Sequence, residues 1–463
     1  MLAALDNRRQ LEQSAASRRA PRDEGTKRRR RIKRVKRLGE KALYGKAAKA
    51  LAQSPTFDPA APGMYAKMKA LHPAPAAGEQ VAPIPPRDLP PKPHVNADTV
   101  RAALYAMNKD SAMGPDRADV RWLQLVANTE HRAHSDLSGL ELLTLVVKKL
   151  AAGDFSSDVG HLISAANLIA LDKGGAKIRP IAIGVVMRRL ITKSLMPTSI
   201  YEAKTHLQPL QVGCGVKAGL DAIVHDARDA IVNLGHDPTY IAVSVDACNA
   251  FNRTSRAEML RQTANHAPSL IRFVNALYAK GMPFLRFGDE HLRSQEGAQQ
   301  GDPASSLMFA LAIHPIVQRI EAECDLVVHR WYADDGLLVG KIDQVKLALD
   351  IIAEEGEKIS FILQPTKTKA YWPTQSVRLI SPLTKAYDLD LRPTSDGVKI
   401  LGVPLGSSMF VENFIRKTFD AIDASLALAA TIPDARIAYN IHRVTASACR
   451  MTHLLRLIPQ PTR

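Results

Sequence analysis

Three carboxylates carry the chemical interest of this 463-residue chain: Asp246, in Ser244-Val245-Asp246-Ala247, and the pair in Tyr332-Ala333-Asp334-Asp335. Each follows residues suited to a strand, Tyr240 to Val245 before the first and Trp331-Tyr332 before the second, so both should stand at strand ends of one sheet. Carboxylates from two strands supply the hard oxygen ligands that Mg2+ prefers. Two such ions, about 3.5 to 4 Å apart, would activate a hydroxyl on one side of a phosphate and steady the leaving group on the other. Taken alone, an Asp-Asp pair before Gly336 reads as a hairpin turn and Asp246 as a helix cap. The neighbours decide between the readings.

Those neighbours come in order. Upstream is Lys173-Gly174-Gly175-Ala176-Lys177-Ile178-Arg179-Pro180-Ile181, where a glycine turn separates cations able to reach a triphosphate. Between the carboxylate strands lies Gln299-Gln300-Gly301-Asp302-Pro303, then the apolar run Leu307 to Ile313; the break predicts a helix start with Asp302 near its cap and Pro303 in its first turn. Gln364-Pro365-Thr366-Lys367-Thr368-Lys369 and Ile400-Leu401-Gly402-Val403 follow the double aspartate.

This ordered series, over roughly residues 96 to 450, resembles the reverse transcriptase family and within it the polymerases of non-LTR (LINE-type) retrotransposons. The resemblance implies two Mg2+ ions, with Mn2+ as a substitute, held by the catalytic carboxylates Asp246, Asp334 and Asp335. It implies that Lys173 and Arg179 face the triphosphate, that Phe251 blocks a ribose 2′-hydroxyl, that Gln300 and Gly301 lie along template and incoming base, and that Lys367 serves as a proton donor to pyrophosphate. Leu401-Gly402 resembles a hairpin that grips the primer end. The retrotransposon branch is suggested by Arg179-Pro180-Ile181-Ala182-Ile183-Gly184, by Arg188-Arg189-Leu190 with Lys193, and by Asn249-Ala250-Phe251-Asn252. The implied fold is α+β in a right-hand arrangement: fingers over 96–238, a catalytic palm with an antiparallel sheet and helices on one face over 239–375, and a primer-grip hairpin with a partial helical thumb over 376–463. The implied partners are an RNA template, a DNA primer or target, and deoxynucleoside triphosphates. A group II intron maturase, an RNA-dependent RNA polymerase and a silent nucleic-acid-binding remnant are the competing readings.

Two positions depart from the family pattern. Ala304-Ser305 stands where a bulky apolar residue and glycine are usual, and Arg117 follows Gly114-Pro115-Asp116 where glycine is usual. If position 117 needs a positive φ, Arg117 carries strain that glycine avoids. Both imply a drifted copy.

Composition supports a polyanionic partner: 62 Lys and Arg stand against 46 Asp and Glu, a net charge of +16. Residues 1–50 hold 17 basic and 5 acidic side chains, most of that excess. The densest run is Lys27, Arg28, Arg29, Arg30, Arg31, Lys33, Arg34, Lys36 and Arg37, interrupted only by Ile32 and Val35. Like charge at this density predicts a disordered tail over 1–95, or one helical only on a phosphate backbone; a nuclear import signal is compatible. Eight prolines between Pro73 and Pro93 predict a stiff linker. The folded body is then expected to begin near Asp98, a candidate cap for a helix through Val100 and Leu104, with another helix over Asp136 to Leu150. Cys214, Cys248, Cys324 and Cys449 are spaced neither as a zinc site nor as a disulfide framework. No apolar run reaches 18 residues, so the expectation is an intracellular protein, nuclear or in a cytoplasmic RNA–protein complex, without a membrane partner. No endonuclease can be placed in the chain, which implies a separate nuclease or nicked DNA for priming.

Overall fold

The computed structural model describes residues 24–52, 56–75, 82–109, 111–130, 137–174, 177–280, 283–374, 394–445 and 449–458. It divides into two compact units, Met1–Ser54 with Arg416–His453, and Pro55–Ile415 with Leu454–Arg463. The second contains the strands β1 (Ala166–Asp172), β2 (Ile178–Gly184), β3 (Tyr240–Val245), β4 (Phe284–Phe287), β5 (Glu290–Arg293), β6 (Leu326–Tyr332), β7 (Asp335–Lys341), β8 (Lys369–Tyr371), β9 (Gly397–Ile400) and β10 (Val403–Gly406).

One sheet has the order β6-β7-β3-β8, antiparallel throughout. Its central strands are apolar on both sides, as a sheet covered on both faces requires. Ile241, Val243 and Val245 join a core with Leu307 and Leu311 of helix Ser305–Glu323 and with Val345 and Leu349 of helix Ile342–Lys358. On the other side Ala242, Leu337 and Val339 pack with Ile223, Val224 and Ala227 of helix Gly219–Leu234, and with the β9–β10 hairpin through Val398, Ile400, Val403 and Leu405. The helices Ser305–Glu323 and Ile342–Lys358 of the 239–375 stretch thus share one face, and the other face is covered from outside that stretch. The boundary expected at 238/239 also separates helix Gly219–Leu234 from the sheet it covers.

The second sheet, β2-β1-β4-β5, joins β1 to β4 in parallel, with Ala166 opposite Leu285. Its buried face, Leu168, Ala170, Ala182, Leu285 and Phe287, packs on Met64 and Met68 of helix Met64–Ala70. Packed structure thus begins well before Asp98. The proline segment is docked rather than a free linker, since Ile84 exchanges backbone hydrogen bonds with the Asn275 amide at 3.0 and 3.1 Å.

Helix Ala97–Ala106 is capped by Asn96, not Asp98; Asn96 and Thr99 cap each other's backbone reciprocally. The helix expected from Asp136 runs Gly139–Ala151 behind a Ser138–Glu141 capping box, with Leu140, Leu143 and Val147 buried as its stripe requires, while Asp136 lies outside the described residues. Arg117 does adopt a left-handed backbone, φ 54°, in the turn closed by its N–H to the Gly114 carbonyl. Arg117→Gly should therefore raise unfolding free energy by about 1 kcal/mol, the cost an L side chain bears there, measured by urea denaturation; an unchanged midpoint would mean the loop relaxes the strain.

The smaller unit departs from the expected disorder. Glu24–Glu40 and Tyr44–Ala52 are helices, and Val35, Ala47, Ala48 and Leu51 share a core with Ala429, Ile432, Ile437 and Ile441. Val35, within the run, and Leu38, just after it and one turn on, face that core, so the cations are thrown outward; Arg29, Lys33, Arg34, Lys36 and Arg37 are exposed. Among the described residues no helix is long and apolar enough to cross a membrane, and Cys214, Cys248 and Cys324 are free thiols.

Candidate active site

β3 ends at Val245 opposite Gly336 of β7, so the antiparallel register, extended by one residue, sets Asp246 across from Asp335. Tyr332 pairs with Asp335 across a two-residue turn, Ala333-Asp334, in which Ala333 takes φ 53°. The pair is thus both a hairpin turn and part of a charged site. The loop 364–369 closes over Asp246: Gln364 N–H donates to the Asp246 carbonyl at 2.8 Å, and the Lys367 Nζ lies 2.6 Å from Asp246 Oδ1. Buried Thr368, which sequence reasoning passes over, lies with its Oγ1 3.4 Å from both the backbone N and O of Asp246.

Six charges share this site. Burial pushes the Asp335 carboxyl up to about 7, aided by the repulsion of Asp334 and Asp246, and Lys173 and Lys367 offset part of the rise. Asp334 is raised for the same reasons, burial first and then Asp246, against the same two lysines. The Lys173 ammonium is lowered, first by desolvation and then by Lys367 and Arg179, while Asp246 and Asp334 hold it up. Like charges in a partly buried site penalise ionisation in this way. Among the described residues no three acidic, histidine or cysteine side chains already stand as a ligand set, and the Asp246 carboxylate is engaged by Lys367. The donors are nonetheless hard oxygens whose mutual repulsion a divalent cation would relieve, so the residues fit such an ion.

This repulsion has a testable sign. Folded Asp335, near 7, binds its proton more tightly than an unfolded aspartate near 3.8, so its contribution to stability is fully present below about pH 4 and lost as pH rises through 7. In chelator, Asp335→Asn should be more stable than the parent at pH 8, by no more than about 4 kcal/mol, and the difference should shrink toward pH 4 and on adding divalent cation. A difference that ignores pH would contradict the assignment.

Lys173 and Arg179 flank the β1–β2 turn. Leu171 stands opposite Arg179, and Lys173 N–H donates to the Lys177 carbonyl at 2.8 Å; Gly175 and Ala176 lie outside the described residues. Phe251 opens the turn after Asp246, its ring 4.9 Å from Phe309 and its carbonyl accepting from Ala298 N–H at 2.7 Å. Gln300 and Gly301 are pinned to β2: the Gln300 carbonyl accepts from Ala182 N–H at 2.7 Å, and a Cβ at Gly301, φ 116°, would meet the Ala182 oxygen at 2.4 Å. The Gln300 Oε1 is buried with no partner among the described residues.

Asp302 stands near the start of the following helix, as expected, its Oδ1 accepting from Ala304 N–H at 3.1 Å, and it does a second thing as well. It pairs with Arg188 and accepts from Tyr278 OH at 2.7 Å, all three fully enclosed, while Ala304 precedes the helix without a side-chain cap. Pro303 lies ahead of that helix, not in its first turn. Ser305, expected as a mark of drift, closes the loop by donating to the Gln299 carbonyl at 2.6 Å. Leu401 and Gly402 do form a two-residue hairpin turn, with φ 48° and 91°. The basic run stands in the smaller unit.

A family model for "Reverse transcriptase (RNA-dependent DNA polymerase)" matches residues 171–405, half of the chain, and takes in Lys173 through Leu401-Gly402. The chain belongs to the reverse transcriptase family. Members are RNA-directed DNA polymerases, nucleotidyltransferases that generally use divalent metal ions. Among solved structures, apo telomerase from Candida tropicalis, truncated from the C-terminal domain, aligns at 12% identity and a TM-score of 0.35, over 45% of this chain and 50% of that one. The alignment thus spans half the length of the telomerase chain. No curated protein matches the sequence.

Proposed function

We propose that this reverse transcriptase copies RNA for a non-LTR retrotransposon, adding deoxynucleotides to a primer 3′-hydroxyl. The observation that carries the reading is the coupled site: carboxylates from two strands, close enough to raise one another, faced by Lys173, Arg179 and Lys367. Asp246, Asp334 and Asp335 would hold two divalent ions, Mg2+ in the first instance. Bound there, the ions supply activation of the attacking hydroxyl and charge relief at the leaving pyrophosphate. Lys173 and Arg179 neutralise the triphosphate, as cationic clamps do in phosphoryl transfer. Lys367, which lies on Asp246, would give a proton to departing pyrophosphate. The Phe251 ring, held against Phe309, presents an edge that a ribose 2′-hydroxyl would meet. Gln300 offers an acceptor with no partner among the described residues, beside a loop that glycine allows to lie flat on β2.

In this reading β1 and β2 serve as fingers, residues 239–375 with the β6-β7-β3-β8 sheet as palm, its β4 and β5 extending the β1–β2 sheet, the β9–β10 hairpin as primer grip, and the helices after it as the start of a thumb. The phrases Arg179 to Gly184 and Asn249 to Asn252 support the non-LTR branch. The exposed cations of helix Glu24–Glu40 suit RNA phosphates and nuclear import, and target DNA would be nicked by a separate nuclease. The test is primer extension on a heteropolymeric RNA template with Mg2+ and deoxynucleotides. Extension by the parent and none by Asp334→Asn supports the reading; salt-sensitive RNA binding without synthesis by the parent would assign the chain instead as a binding remnant.

A further inference from the structure

The turn that carries Asp334 and Asp335 is held from outside its own hairpin. The segment Leu210 to Gly213 runs beside β6, with Trp331 N–H donating to the Leu210 carbonyl and Val212 N–H to the Trp331 carbonyl, both at 2.8 Å. From this segment the fully buried Gln211 side chain reaches Ala333, the residue before the aspartates. Its Oε1 accepts from Ala333 N–H at 2.8 Å and from Gly213 N–H at 3.1 Å, and its Nε2 donates to the Ala333 carbonyl at 3.2 Å. Two N–H groups and one carbonyl fix which end of the amide is which. Gly213 completes the seat, because a Cβ there would lie 2.5 Å from the Ala333 nitrogen.

Ala333 needs this support. Its φ of 53° is a conformation that L residues avoid, and it sets the direction in which the chain delivers the next two carboxylates. One planar amide binds both the donor and the acceptor of that residue, as a neighbouring strand would. We infer that Gln211 is a positioning residue for the catalytic turn: it touches neither substrate nor metal, and it holds Ala333 left-handed so that Asp334 and Asp335 face Asp246. This rests on those three aspartates being the catalytic site, and it adds a residue that none of the motifs named above contains.

Three variants test it. Gln211→Met keeps length and apolar bulk and loses all three hydrogen bonds; Gln211→Glu keeps the two accepted ones; Gly213→Ala presses on the same turn while leaving Gln211 in place. Displacement of a reacting group by about 1 Å costs on the order of 100-fold, so kcat should fall about 100-fold in Gln211→Met. The KM for deoxynucleotide and the Kd for primer–template should stay within about threefold. Gln211→Glu should recover at least about tenfold of the loss, and Gly213→Ala should reproduce it. The readout independent of synthesis is the rise in Tm on adding Mn2+, expected in the parent and largely lost in Gln211→Met. A kcat within threefold of the parent overturns the inference, as does a loss of kcat, primer–template affinity and metal-free Tm together with Gln211→Glu no better. Should the parent bind Mn2+ without extending a primer, loss of the Mn2+ response in Gln211→Met still supports the positioning role while the polymerase reading fails. A parent lacking the Mn2+ response overturns both.

Discussion

Asp334→Asn is expected to remove primer extension by at least about 10³-fold while leaving the protein more stable, not less, in metal-free buffer. The two signs come from one cause. Asp334 sits partly buried beside Asp246, and its carboxyl is raised because ionisation there is penalised by burial and by that neighbour. A neutral isostere removes the penalty, so stability rises. It also removes the charge that would hold a divalent ion, and charge stabilisation in a water-poor site is the greatest single aid available to phosphoryl transfer. Asp246→Asn should cost as much activity, since Asp246 is the carboxylate that faces the hairpin from the other strand. Lys367→Met should cost less, about 10- to 100-fold, as removal of a proton donor does. Extension rates and urea midpoints on the same preparations decide the matter: a variant that loses activity together with stability would show a folding defect, and one that keeps activity would remove Asp334 from the site.

The second large effect is structural. Arg188 and Asp302 form a fully enclosed ion pair, with Arg188 Nη1 donating to Gln299 Oε1 at 2.8 Å and to the Ser164 carbonyl at 3.1 Å, and Nη2 to Tyr278 OH at 2.8 Å. Burial alone would lower the guanidinium; Asp302 and Tyr278 outweigh it and raise it. Arg256 stands over the same Tyr278 ring at 5.1 Å. Asp302→Ala leaves a guanidinium buried and uncompensated, a change that costs about 3 to 5 kcal/mol. Replacing both partners by Arg188→Met and Asp302→Leu should recover more than half of that loss, because an enclosed pair contributes less than its rupture costs. Urea denaturation of the two singles and the double closes the cycle. Equal destabilisation in the double and the singles would mean the neighbours Gln299 and Tyr278, not the pair, carry the network.

How much of this can be read from residues alone follows from the range of the interactions. The carboxylate strands are legible because a β-branched or aromatic run ending in aspartate is a local signal, and the Leu401-Gly402 turn likewise. The pairing of Asp302 is not, since its partner Arg188 lies on a helix more than a hundred residues upstream, and Asp-Pro before an apolar run looks the same whether or not the second carboxylate oxygen is paired. Gln211 carries no signal because two of its three bonds go to Ala333, backbone that only the fold brings near. The basic run misleads for a subtler reason: its charge density points to disorder, whereas Val35 and Leu38 at helical spacing are enough to seat it on a core.

The parallel pairing of β1 with β4 carries a consequence for synthesis. Ala166 and Asn167 gain their strand partners, Leu285 and Arg286, only after more than a hundred further residues have been made. Thr56 and Phe57 cover the far end of this edge at Leu171 and Ala170, but until β4 is made the Ala166–Asn167 end offers unpaired N–H and carbonyl groups to any other chain. Nascent protein halted before β4, or a fragment cut between β3 and β4, should therefore stick to its own kind, and chaperone demand during translation should peak before residue 284 and ease once β4 and β5 have emerged.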